Sequence, residues 1–331
     1  MAVPFIVQWL ELQEERQFRE HRDAFQMREE MFRSRCRLSK GLARSLCEEL
    51  RPVLVRERVN TRTALTVEVQ VPCALRFLAT GGFQGAITSD EDLTTSQSSF
   101  SRSVHAVIEA IVDCIGDAWI SFPDDTAALS SASEGFVRRD CRFQGCVGAA
   151  DGTYVCIRAP SERDDANKPA YFCRKGYYAL NVMCTTAPRD FCNPCQNFAS
   201  KGDSAYPLQP WLVTPVPGNH IYGSPAAMFN AAHSSLRSLV ERCIGVRKMR
   251  FGCLQRHRAL YYGPVFTSKI IAACAVLHNL YVRAELPEPD CTPGIDDFDG
   301  DVNAYDDSGD VTAATLYRAG RQKRERMLQM F

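Results

Sequence analysis

GCVGAADGTYVCIRAP, residues 145–160, decides how the rest of the chain is read. Val147, Tyr154, Val155 and Ile157 make it a short β-rich run, and Asp151 interrupts it. An unpaired charge in such a run is costly, so Asp151 is expected to meet a cation, a partner or a turn. YYALNVMCTTA, residues 177–187, reads as a second strand. With the polar stretch between them as a loop, the two form an antiparallel pair.

Helical periodicity flanks this β-rich centre on both sides. Residues 11–58 read as helix, with Phe18, Phe25, Met27, Met31 and Phe32 as an apolar stripe. Within it Ser39 is an N-cap candidate, Leu42, Leu46 and Leu50 recur at helical spacing, and Pro52 is expected to stop the helix. LTVEVQVPCALRFLATGGF (65–83) is a further helix built on Leu75, Phe77 and Leu78 and ended by Gly81-Gly82. LTTSQSSFSRSVHAVIEAIVD (93–113) opens on Ser and Thr, then places Phe100, Val104, Val107, Ile108 and Ile111 on one face. Helix, short polar break and second helix is the order of a helix-turn-helix. Gln97, Ser98, Ser99, Ser101 and Arg102 at the second start are the candidates to meet a DNA groove; a solvated helix end has the same composition. A connector rich in Ser, Asp and Ala leads to the strands. Beyond them, the segment from Asn230 carries Leu236, Leu239, Val240 and Ile244, and 265–283 reads as a buried helix with His278 hydrogen-bonded near its end.

Charge is balanced overall, with 39 Lys and Arg against 39 Asp and Glu, so an affinity for nucleic acid must come from uneven distribution. From Asn219 to Arg283 there are nine Lys or Arg and one acid, Glu241. Residues 284–310 hold ten acids and no Lys or Arg, the composition of a disordered linker. The chain closes on a short basic helix, TLYRAGRQKRERMLQMF, which resembles a nuclear-import signal. The apolar share of 45% excludes wholesale disorder and collagen, and no uninterrupted apolar run approaches the ~18 residues a membrane span needs. Fifteen scattered cysteines fit a reducing compartment better than a disulfide framework. Cys192 with Cys195, and Cys253 with His257, lack the second ligand pair of a zinc site, so no zinc is expected.

Glu241 is the informative carboxylate. It lies one helical turn from Arg237, where a solvated ion pair is worth only about 0.2–0.5 kcal/mol. Asp151, Asp203 and Glu241 come from distant segments, and three such carboxylates can hold two divalent cations about 4 Å apart for phosphodiester hydrolysis. Hard oxygen ligands favour Mg²⁺ or Mn²⁺.

ALRFLATGGFQ, SQSSFSRSV, FQGCVGAADGTYVCI, CRKGYYALNV, KGDSAYPLQPWLVTP, FNAAHSSLRSLVERCIGVRKMRF and AACAVLHNL, in this order over about residues 30–283, resemble blocks of the PIF/Harbinger transposase superfamily. The resemblance implies an α/β fold, an RNase H-like core with a DDE triad, preceded by a helix-turn-helix region. Asp151 in GAADGT, Asp203 in GDSAYPL and Glu241 in RSLVERCIG match the three acids, which would bind Mg²⁺ or Mn²⁺ and carry catalysis. Arg247, Lys248 and Arg250 are expected to lie toward the phosphate backbone. The family further implies DNA as substrate, a Myb-like DNA-binding partner protein and a nuclear location, with the cytoplasm as a further compartment.

The expected organisation is a helical segment (1–60), a helix-turn-helix region (61–138), a nuclease domain (139–283), an acidic linker (284–310) and a basic helix (311–331). One departure stands out. The segment between the second strand and Asp203 is about two dozen residues shorter than the family pattern, so a third strand and one covering helix are expected to be missing. Two functions follow: a metal-dependent DNA endonuclease, or a catalytically inactive DNA-binding or partner-recruiting protein of the same descent.

Overall fold

A computed structural model describes residues 23–55, 65–82, 95–121, 125–161, 164, 167–186, 192–193, 200–201, 208–286 and 311–331. Two compact units are present, one of Met1–Phe77 with Gly82–Val107, the other of Leu78–Gly81 with Ile108–Phe331.

The first unit is helical. α1 (Glu29–Cys36) ends where Arg37 turns left-handed at φ 63°, and Ser39 caps α2 (Lys40–Leu54) by accepting from Leu42 N at 3.3 Å. The expected long helix is therefore two. Pro52 does not stop α2 at once; the helix runs two residues further, because a proline near a C-terminus disrupts only the final turn. α3 (Val67–Thr80) also carries a proline, Pro72, and α4 spans Gln97–Ala110. Phe32, Leu46, Leu50, Val71, Leu75, Phe100 and Val104 are wholly buried. Most of the polar break between α3 and α4, 83–94, lies outside the described residues.

The second unit holds the sheet. After a π turn at Ile111–Ile115 and the single-turn α5 (Gly116–Trp119), the Ser- and Ala-rich connector contains a helix, α6 (Thr126–Val137). Asp125 caps it by accepting from Ala128 N at 2.7 Å; alanine's helix propensity outweighs the polar composition. β1 (Ala149–Cys156) and β2 (Ala179–Thr186) pair antiparallel along eight residues each, with Asp151 opposite Cys184. β3 (Cys192–Asn193) is antiparallel to β2; β4 (Ser200–Lys201) is parallel to β1 and to β5 (Leu212–Val213). The strand order is β3-β2-β1-β4-β5. A third strand is present after all, as a two-residue stub.

α7 (Pro225–Arg250) starts five residues earlier than its apolar stripe indicates, since Ser224 caps it and Pro225 takes its first turn. Leu236, Leu239, Val240, Cys243 and Ile244 join Phe136, Phe143, Ala149, Cys184, Val213 and Phe229 in one core. α8 (Pro264–Arg283) is long and apolar enough to cross a membrane by length and composition, although polar Thr267, Ser268, Lys269, His278 and Asn279 break it into shorter apolar runs; 67% of the stretch is buried inside the unit. α9 (Val311–Leu328) is the expected basic helix; Met327, Leu328 and Phe331 pack on the α7 core. Gly320 faces Gln209 so closely that a Cβ would stand 2.8 Å from its carbonyl carbon. The acidic linker lies outside the described residues from 287 onward.

Candidate active site

Asp151 is the third residue of β1, and its side chain is one-tenth exposed. Gly152 N donates to Asp151 Oδ1 at 2.9 Å, which holds one carboxylate oxygen against the strand. α7 crosses the same face. Residues 237, 241 and 248 recur at i, i+4 and i+11, so they share a side of that helix. Arg237 Nη2 lies 2.5 Å from Glu241 Oε1, and Arg237 Nη1 lies 3.9 Å from Asp151 Oδ1. One guanidinium therefore bridges carboxylates 90 residues apart in the chain (241 − 151). The first contact is a close ion pair; the second is a through-space attraction too long for a hydrogen bond. Both Arg237 and Glu241 keep 22% side-chain exposure, so the pair opens to solvent on one side.

Sequence reasoning saw Arg237 only as the helical neighbour of Glu241. Its contact with Asp151 needs the β1–α7 packing and has no local signal. Asp203 lies outside the described residues; β4 ends two positions before it, at Lys201. Among the described residues no group of three metal-ligating side chains converges.

Arg247, Lys248 and Arg250 correct the sequence reading. They are 0%, 2% and 2% exposed and point into the unit rather than toward a phosphate backbone. Arg247 Nη2 donates to Cys184 Sγ at 3.0 Å, and Lys248 Nζ donates to Tyr154 O at 3.2 Å. Arg250 Nη1 donates to His278 Nδ1 at 2.7 Å, and its guanidinium covers the Tyr281 ring at 3.6 Å. A signal was present. Leu236, Val240, Cys243, Arg247 and Arg250 step by four, three, four and three, which is one continuous buried stripe. At the start of α4, Gln97, Ser98 and Arg102 are exposed and Ser101 is half-buried; Arg102 Nε donates to Ser98 O at 3.3 Å.

A five-stranded mixed sheet crossed by a helix, with an acid on each, places two carboxylates at one guanidinium. Residues 195–279 match the model of a DDE superfamily endonuclease; the match includes positions 203 and 241. The rat (Rattus norvegicus) protein named "Putative nuclease HARBI1" is 34% identical over 247 residues, covering 66% of this chain and 68% of the rat protein. Its human (Homo sapiens) namesake is 32% identical with the same coverage, and that of the frog Xenopus laevis is 30% identical over 253 residues, or 67% of this chain and 70% of the frog protein. No solved structure matches. The chain belongs to the PIF/Harbinger family of transposase-derived nucleases.

Proposed function

We propose that the chain is a metal-dependent DNA endonuclease in which Asp151, Asp203 and Glu241 form the DDE triad on an RNase H-like sheet. The observation that carries it is the shared guanidinium: Asp151 and Glu241, remote in sequence, are brought to one cation. The strand order β3-β2-β1-β4-β5, with β1 parallel to β4 and antiparallel to β2, supports the fold reading.

The donor set fits hard divalent cations. Both described members are carboxylates, both are largely withdrawn from water, and a positive group already stands between them. Asp151, Asp203 and Glu241 would hold Mg²⁺ or Mn²⁺, which when bound activates water and neutralises charge on the scissile phosphate. Asp151 supplies a carboxylate immobilised on a buried strand. Glu241 supplies one whose direction is set by Arg237. Arg237 itself is a bidentate donor suited to a phosphate oxygen once the acids are engaged elsewhere. The exposed start of α4, with Gln97, Ser98, Ser101 and Arg102, is proposed to bind DNA, with a Myb-like protein as partner and the nucleus as location.

Asp151→Asn is expected to abolish Mg²⁺-dependent nicking of supercoiled DNA while leaving salt-sensitive DNA binding nearly intact. Unchanged nicking in that variant removes Asp151 from the mechanism. The two-residue length of β3 and of β4 favours a second reading, DNA binding without hydrolysis. On that reading the unaltered chain nicks nothing, and a Mn²⁺ titration gives no heat.

A further inference from the structure

Beyond its last residue, β1 continues into a ledge that the carboxylate chemistry does not use. Two loops build it, one between β1 and β2 and one between α7 and α8. They are locked together: Arg158 N donates to Leu260 O at 2.9 Å, and Leu260 N donates to Cys156 O at 3.0 Å. Arg256 lays its guanidinium over the Tyr177 ring at 5.0 Å, which ties the second loop to the tip of the first. That tip is a tight hairpin. Phe172 pairs with Tyr178, Cys173 N donates to Tyr177 O at 2.9 Å, and Gly176 takes φ 83°. The turn lifts Arg174 and Lys175 to its apex.

Two properties of this ledge point to one kind of ligand. The first is charge. Among the described residues of 157–178 and 251–263 there are six Lys or Arg (158, 168, 174, 175, 256 and 258) against one acid, Asp164. Asp164 is turned inward, accepting from Ser161 N and Oγ at 2.7 Å each and facing Arg158 Nη2 at 3.4 Å. The second is aromatic surface. Tyr261 is 67% exposed and Phe172 53%, and the Phe172 and Tyr178 rings stand edge to face at 5.2 Å. Lys168 lies 5.7 Å from the Tyr178 ring centroid. Exposed rings interleaved with cations are what a single strand of nucleic acid needs: phosphates meet the cations, and unpaired bases stack on the rings. A paired duplex offers phosphates but keeps its base faces stacked away from such rings.

We infer that this ledge binds an unpaired DNA strand through phosphate contacts and base stacking. It deepens the endonuclease reading and rests on its choice of DNA: Ile157 follows Asp151 by six residues, about 20 Å at ~3.3 Å per residue of strand, so a strand held here flanks the carboxylates.

The test uses the full chain carrying Asp151→Asn, in EDTA, so that neither cleavage nor metal enters the readout. Labelled oligothymidine, an abasic strand of the same length and a blunt duplex are titrated by fluorescence anisotropy. Oligothymidine is expected to bind at least about tenfold tighter than the abasic strand. The double variant Phe172→Ala/Tyr261→Ala is expected to lose that preference, while Phe172→Tyr/Tyr261→Phe keeps it. Arg174→Ala with Arg256→Ala is expected to lower the slope of log affinity against log salt by about 0.7 for each phosphate no longer neutralised. Melting curves that match the parent exclude misfolding of these surface variants. Equal affinity for the abasic strand, or an undiminished preference in the alanine pair, overturns the proposal. So does loss of all strand binding on Arg102→Ala alone, which assigns the strand to α4. None of these results depends on nicking, so the ledge can fail while the triad stands, and the reverse.

Discussion

Asp151 Oδ1 lies 3.9 Å from Arg237 Nη1, so the buried strand acid and the helix cation neutralise each other across the β1–α7 contact. Arg237 extends the same charge to Glu241. The guanidinium acts as an internal counter-ion between two acids that would otherwise repel one another at low exposure.

If that is its role, a divalent cation competes with it. Mn²⁺ is expected to raise the melting temperature of the unaltered chain, and to raise that of Arg237→Ala further, because two acids there lack their cation. A ligand at about 100 times its Kd adds roughly 2.7 kcal/mol. Asp151→Asn and Glu241→Gln are expected to lose most of the Mn²⁺ effect. Equal Mn²⁺ shifts in all four chains, read by differential scanning fluorimetry, would place the metal elsewhere.

Arg250 and His278 form a second buried polar pair. The guanidinium can only donate, so His278 Nδ1 accepts, and His278 Nε2 lies 3.7 Å from Cys243 Sγ. His278→Phe keeps a planar ring, somewhat larger than imidazole, but removes an acceptor from a buried cation. A loss of about 2–3 kcal/mol is expected in urea unfolding, typical of a hydrogen bond to a charged group. Arg250→Met/His278→Phe, which removes both polar partners, should recover part of it. Unchanged stability of His278→Phe would mean that the other contacts of Arg250 satisfy it.

Phe331 packs over the core of the second unit. It meets Phe143 at 5.7 Å and Phe229 at 5.5 Å between ring centroids, with the Arg142 guanidinium 4.1 Å from its ring. Phe331→Ala is expected to destabilise the second unit by about 2 kcal/mol, below the value for a wholly buried ring because Phe331 is half-buried. Truncation before Val311 should do more, since Met327 and Leu328 leave with it and Arg324 no longer donates to Pro215 O, a 2.9 Å bond. Stability of the truncated chain equal to that of the full chain would show that α9 contributes nothing to this unit.

Burial pushes the thiols of Cys36, Cys47 and Cys73 up to about 12 from an ordinary value of 9.0. The charged form is disfavoured in the fold, so this contribution to stability is whole below pH 9 and is lost as the pH rises toward 12. The first unit should therefore melt at a lower temperature at about pH 10.5 than at about pH 8.5. Brief alkylation at about pH 8, followed by peptide mapping, should mark exposed Cys114 and Cys141 and spare these three. Rapid labelling of Cys36 or Cys73 would contradict their burial.

Much of the fold is legible in local pattern. The β-rich run around Asp151 and the 177–187 run predict β1, β2 and their antiparallel pairing; the 3.6-residue stripe predicts α7 and α8; Ser39 is the cap expected of it. Failures arise where composition competes with position. The connector rich in Ser is a helix because Asp125 caps an alanine-rich turn, and Pro52 is tolerated because it falls in a last turn. Arg247, Lys248 and Arg250 look like a solvated basic run, yet two of them continue a buried stripe.

The amino-acid order by itself determined the family, the two principal strands, the core helices and which carboxylates are worth pairing, because these depend on β-rich runs, a 3.6-residue periodicity and short blocks in register. Only tertiary packing decided which charges meet. Whether an arginine on α7 faces phosphate, sulfur or Asp151 depends on the rotation of that helix over the sheet. That rotation is set by burial summed over the whole stripe and leaves no mark on any single residue.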